Sequence, residues 1–229
     1  MKTLKESILS DMETTIESGD RTIINIIIQK FLSENYKFDI LKKQPKPTDY
    51  NISSKPNKDG KYEVSTRKII KLNEDASSIT NNLFVFTTSG HFSCVNCNKL
   101  KSLEGAPRVV DGEFNCSGCI NLESLEGAPD TVHNFNCSNC INLKSLKGAP
   151  KTVKEGFYCS NCINLESLEG APKKLKYDFM CNNCSKLKSL KEAPREVGEI
   201  FNCKNCGVKF TVDDVTQVCD ISREEIIII

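Results

Sequence analysis

Tryptophan is absent from this 229-residue sequence, and histidine occurs only at His91 and His133. Aromatic residues are 7% of the chain, too few to build the stacking platforms that hold single-stranded nucleic acid. Charge of one sign is lacking too. The 31 basic side chains are balanced by 30 acidic ones, for a formal net charge of +1, so the basic footprint of a polyanion-binding surface is missing. There is no long hydrophobic run. Ile23–Ile28, interrupted by Asn25, and the closing Ile226–Ile229 fall far short of the roughly 20 residues that span a bilayer. Residues 1–14 have no apolar stretch of the secretory kind, and no glycine-rich phosphate loop occurs. These absences predict a cytoplasmic chain with neither a nucleic acid nor a membrane as partner.

Cysteine, by contrast, is abundant, with thirteen copies. In a short secreted chain that number reads as a disulfide framework. Without a secretion signal it reads as thiols in a reducing compartment.

The cysteines are periodic. The first of each pair falls at Cys94, Cys116, Cys137, Cys159, Cys181 and Cys203, in steps of 22, 21, 22, 22 and 22 residues. The second follows three residues later, at Cys97, Cys119, Cys140, Cys162, Cys184 and Cys206. Leucines stand three and six residues beyond that, beginning with Leu100 and Leu103 and ending with Leu187 and Leu190. Gly-Ala-Pro follows (Glu-Ala-Pro in the fifth copy), then a branched residue at Val110, Val132, Val153, Leu175 or Val197. A phenylalanine precedes each first cysteine by two positions, from Phe92 to Phe201.

Self-similarity at a period of this size indicates stacked turns of chain. In Phe-x-Cys the two side chains share one face of a short strand. The later apolar positions recur every three residues, as a coiling return path requires. Proline then fixes φ and ends the segment. Stacked turns would place like residues about 4.8 Å apart, so phenylalanine, cysteine and leucine columns form one core. A single turn cannot bury enough to fold alone.

The unit resembles leucine-rich repeats, with the second cysteine in the place of that family's Asn or Cys ladder. Phe135–Val153 is similar to the cysteine-bearing repeats of bacterial surface-antigen leucine-rich proteins, and to repeat proteins of tailed phages and gut bacteria. The resemblance covers residues 90–206, and Lys2–Met12 and Pro56–Val64 look like the amino-terminal part of those proteins. It implies a parallel β-sheet arc, which the six cysteine pairs count at about six rungs, and it implies binding along the exposed side of that sheet. It says little about function, because solenoids host many partners.

The flanks complete a four-part division. Residues 1–60 read as a helical region and linker. Leu4, Ile8, Met12 and Ile16, then Ile24, Ile27, Ile28 and Phe31, mark two helix faces. Tyr36–Leu41 alternates like a strand, and residues 43–60 read as a Pro-, Lys- and Asn-rich loop. Residues 61–90 read as the entry cap: Tyr62–Leu72 is strand-like, and Asn73, Ala76 and Ile79 look like a degenerate rung, with Asn73 where a second cysteine would stand. Residues 91–206 form the solenoid. Residues 207–229 form a cap, with a short helix near Thr211–Val215 and an edge strand at Glu225–Ile229.

Three chemistries compete for the cysteines. Cys-x₂-Cys-x₁₈-Cys-x₂-Cys matches a Cys₄ zinc spacing, which gives an alternative reading as a zinc-binding repeat protein, with or without a nucleic acid as its partner. Nearly equal spacings and an apolar periodic spacer favour instead buried cysteine columns without cofactor or metal, the thiol acting as a small hydrophobe and weak donor. A Cys–His dyad would need both groups on one exposed face, and inward cysteines argue against it, so no enzyme is expected. As a function class, a surface adhesin exported without a visible signal stands third, after a protein-binding module and the zinc protein. Charges such as Glu104, Glu123, Glu126, Lys144, Lys147, Glu166 and Glu169 read as a solvated face.

The favoured expectation is a protein-binding scaffold. The outward column between phenylalanine and first cysteine is Ser93, Asn115, Asn136, Tyr158, Met180 and Asn202. Tyr158 and Met180 interrupt its polar ladder on adjacent rungs, as an anchor for a protein partner would.

Overall fold

The computed structural model describes residues 36–38, 50–53, 57–67, 69–77, 79 and 84–228. The two N-terminal helices expected from residues 1–36 lie outside them. The described chain is a parallel β-solenoid with little helix. It opens with β1 (Tyr36–Phe38) and β2 (Tyr50–Ile52). About seven turns follow, each giving one strand to either side. These are β3 (Tyr62–Thr66) and β4 (Ile70–Leu72), then β5 (Phe84–Thr88) and β6 (Phe92–Ser93). Next come β7 (Val109–Val110) and β8 (Glu113–Asn115), then β9 (Thr131–Val132) and β10 (Asn134–Asn136). Then follow β11 (Thr152–Val153) and β12 (Phe157–Tyr158), β13 (Lys174–Leu175) and β14 (Phe179–Met180), and β15 (Glu196–Val197) and β16 (Phe201–Asn202). Helix α1 (Val212–Thr216) and β17 (Ile226–Ile227) close the described chain.

One side is a nine-stranded sheet in the order β1-β4-β6-β8-β10-β12-β14-β16-β17. Only β1 joins it antiparallel. The register pairs each phenylalanine with the next, as Phe135 with Phe157 and Phe157 with Phe179. On the other side, β2-β3-β5-β7, β9-β11 and β13-β15 form shorter sheets.

The core is the set of columns that this register creates. Phe92, Phe114, Phe135, Phe157, Phe179 and Phe201 are fully buried. Their rings follow one another at 4.9–5.9 Å between centroids, within the range of favourable aromatic pairs. Both cysteine columns and both leucine columns run beside them, with Cys206 alone among the thiols partly exposed.

Tight turns join the columns. The residue before each second cysteine has a left-handed backbone: Asn96, Asn139, Asn161, Asn183 and Asn205, with φ of 54–61°, and Gly118 at 72°. Asn and Gly are the residues that tolerate this region, which explains the Cys-x-Asn-Cys wording of the repeat. Neighbouring asparagines also bond side chain to side chain, Asn183 to Asn161 at 2.8 Å and Asn205 to Asn183 at 3.1 Å.

Three expectations change. The degenerate rung of residues 61–90 counts as a turn of its own, since β3 and β4 pair in parallel with β5 and β6. The count therefore rises from about six rungs to about seven. Counting by cysteine motif misses this turn because strand pairing uses the backbone. Within that turn Asn73 does not replace a second cysteine. Ala76 donates to the Asn73 carbonyl at 2.9 Å, as Cys97 does to Cys94 at 3.2 Å, so Ala76 takes that place. Finally, the loop assigned to residues 43–60 contains β2, which pairs antiparallel with β3. The expected C-terminal helix and edge strand are present as α1 and β17.

Candidate functional site

The cysteine columns form the most regular chemical array in the chain. Each second thiol from Cys119 onward donates to the carbonyl of the first cysteine one turn earlier, and Cys97 donates to the Asn73 carbonyl at 3.4 Å. Cys119 reaches Cys94 at 2.9 Å, Cys140 reaches Cys116 and Cys162 reaches Cys137 at 3.2 Å, and Cys184 and Cys206 reach Cys159 and Cys181 at 3.3 Å. These carbonyls lie in the turns at the strand ends, where buried acceptors need a partner. Burial pushes the Cys116, Cys137 and Cys159 thiols well above their ordinary range. It raises Cys203 to about 12 and Cys219 to about 11. None of the thirteen is disulfide-bonded. Among the described residues, no three His, Cys, Asp or Glu side chains converge as metal ligands. The array is arranged for packing and hydrogen bonding.

Both histidines have partners other than thiols. His91 accepts the Glu113 backbone amide at 2.9 Å, while Cys94 is fully buried. His133 sits in an exposed ionic cluster at the corner between the two sides. Its ring lies 3.2 Å from Asp111 and 3.5 Å from Glu155, and Lys154 lies 3.2 Å from Asp111. A hydrogen bond and the charge of Lys154 hold the Asp111 carboxyl below its usual range. The cluster flanks a groove of about 620 Å³ on the second side, floored by Ser65, Thr87, Val109 and Thr131 with Arg67 at its rim. Sequence reasoning missed it. These groups are 22 or so residues apart, and only the register brings them together.

The outward face of the nine-stranded sheet carries the partner-binding candidates. Its main column runs Ser93, Asn115, Asn136, Tyr158, Met180, Asn202 and Ile227, joined strand by strand. The column preceding the phenylalanines contributes Glu113, Asn134, Gly156, Asp178 and Ile200. Register thus brings all five proposed residues, Asn115, Asn136, Tyr158, Met180 and Asn202, into one line, each partly buried.

The asparagines in that line have a local task. The side-chain oxygens of Asn115, Asn136 and Asn202 accept the backbone amides of Ser117, Ser138 and Lys204 at 3.0, 3.0 and 3.1 Å. Each closes an Asx turn that leads the strand into the left-handed corner. Tyr158 and Met180 offer no such acceptor. The tyrosine bends back over its own turn: a side chain at Gly156 would meet the Tyr158 hydroxyl at 2.5 Å. Partial burial, then the neighbouring Asp178 carboxylate, push the phenol above its ordinary value.

Elsewhere on the surface, Ile120 and Ile163 expose 39% and 44% of their area, with the partly buried Ile141 between them. Among the described residues, no helix is long and apolar enough to cross a membrane. Compared with known proteins, the chain matches no family model, no curated protein and no solved structure.

Proposed function

We propose that the chain is a non-enzymatic interaction module, a solenoid of leucine-rich type that binds a protein through the outward face of its nine-stranded sheet around Tyr158 and Met180. The observation that carries this is a local substitution of roles. Three turns use the position for an asparagine that closes the strand end. Two adjacent turns give up that hydrogen bond and place a tyrosine and a methionine side by side. Aromatic and methionine side chains are those enriched at interface centres. The buried thiol columns suit a reducing, cytoplasmic setting. The closed packing of both cysteine columns supports this reading over zinc binding, and the thiol-to-carbonyl bonds give the cysteines a structural role.

The test compares the wild type with Tyr158→Ala/Met180→Ala as immobilised baits. The double variant, at unchanged thermal stability, should no longer retain the protein that the wild type captures. Equal retention by both baits would move the binding surface elsewhere, and Ile120→Ala/Ile163→Ala then reports on the isoleucine stripe.

A further inference from the structure

We infer that the partner presents a cation, a lysine or arginine side chain, to Tyr158; this rests on the reading of the sheet face as the binding surface. The chain as a whole is near neutral, and the lysines of this face lie toward its ends, at Lys71 beside Ser93 and at Lys204 beyond Asn202. Across the turns from Glu113 to Asn202, its two outward columns hold carboxylates and no lysine or arginine.

The carboxylates there are held by hydrogen bonds rather than by cations. Glu113 accepts the Asn115 side-chain amide at 3.0 Å, and Asp178 accepts the Ile200 backbone amide at 3.1 Å. The nearby lysines are engaged elsewhere. Lys154 pairs with Asp111, and Lys176 lies 4.8 Å from the centroid of the Tyr177 ring. Gly156 leaves the berth in which the Tyr158 ring lies, with Asp178 on the next turn beside it. An aromatic ring attracts a cation through its quadrupole. Flanking carboxylates add long-range attraction and reject acidic partners. Met180 supplies the apolar surface along which a lysine or arginine stem packs.

The experiment uses the full chain with two labelled probes, a short oligolysine and a short oligoglutamate peptide, followed by fluorescence anisotropy. Oligolysine should bind and oligoglutamate should not, with affinity falling as salt rises. Glu113→Gln/Asp178→Asn should weaken oligolysine binding by about tenfold, and Tyr158→Ala, checked for fold by circular dichroism, by a similar factor. Equal binding of the two peptides, no binding of either, or an unchanged affinity in the carboxamide variant would overturn the inference. The two readings fail separately. A protein lost by Tyr158→Ala/Met180→Ala but retained by Glu113→Gln/Asp178→Asn keeps the face and discards the cation. A protein retained by both variants discards the face itself.

Discussion

Gly148 sits at φ 83°, and a Cβ there would stand 2.3 Å from the backbone nitrogen of Glu126 on the turn before. Gly127 and Gly170 are held in the same way. The fifth copy departs from this, with Glu192 at φ 67° in the equivalent place. Gly148→Ala should therefore lower stability by about 2–4 kcal/mol, from left-handed strain and backbone crowding together. Glu192→Ala should leave the urea midpoint nearly unchanged, because a Cβ is already accommodated and only an exposed contact with Lys173 is lost. Equal losses in the two variants would contradict the crowding argument. At this scale the sequence was readable where one residue type answers one constraint. Phenylalanine, cysteine and leucine recur because their columns are buried. The Asx role of Asn115 and Asn136 was not recognised. Its signal, an asparagine two residues before a serine at the ends of β8 and β10, was there to be found.

The elements are short, most strands having two or three residues, so each is held by its neighbours more than by itself. Charges outside the core reinforce the stacking. Lys101, Glu123, Lys144, Glu166 and Lys188 occupy equivalent positions on successive turns with alternating sign. Lys101 lies 3.9 Å from Glu123, and the backbones bond at 3.0 and 2.9 Å at Glu123–Lys101 and Glu166–Lys144. Helix α1 carries a capping box in which Thr211 accepts the Asp214 amide at 3.2 Å and Asp214 accepts the Thr211 amide at 2.8 Å. Thr211→Ala should cost about 1 kcal/mol in urea unfolding, and no loss would mean that the helix is held by Val215 packing alone. This cap was legible, because threonine before an apolar run is a local signal. Strand β2 was not. A Pro- and Lys-rich surrounding reads as loop, and the antiparallel pairing with β3 that makes it a strand is not a local signal.

For the molecule as a whole, the buried Cys203 and Cys219 thiols make stability depend on alkaline pH. Folding raises Cys203 to about 12 and Cys219 to about 11 from an ordinary 9.0. The folded state therefore holds protons that the unfolded chain releases. The contribution is complete below about pH 9 and is lost as pH rises through these folded values. Each thiol adds a slope of about 1.4 kcal/mol per pH unit in that window. Urea midpoints should fall as pH rises past about 9, and Cys219→Ala should flatten that fall; an unaltered slope would mean that Cys219 is solvated in the folded state.

The repeat architecture was evident from the spacing of cysteine and proline. The first turn was visible only as a degenerate rung, since it lacks the cysteines, and the corner cluster of Asp111, His133 and Lys154, which register alone assembles, was not visible. The most direct measurement of the binding surface is photo-crosslinking in lysate, with a photoreactive residue placed at Met180 or, on the opposite side, at Thr152. A discrete crosslinked protein from Met180 and none from Thr152 is the predicted result. Crosslinking from Thr152 alone would put the partner on the groove side and contradict the assignment to Tyr158 and Met180.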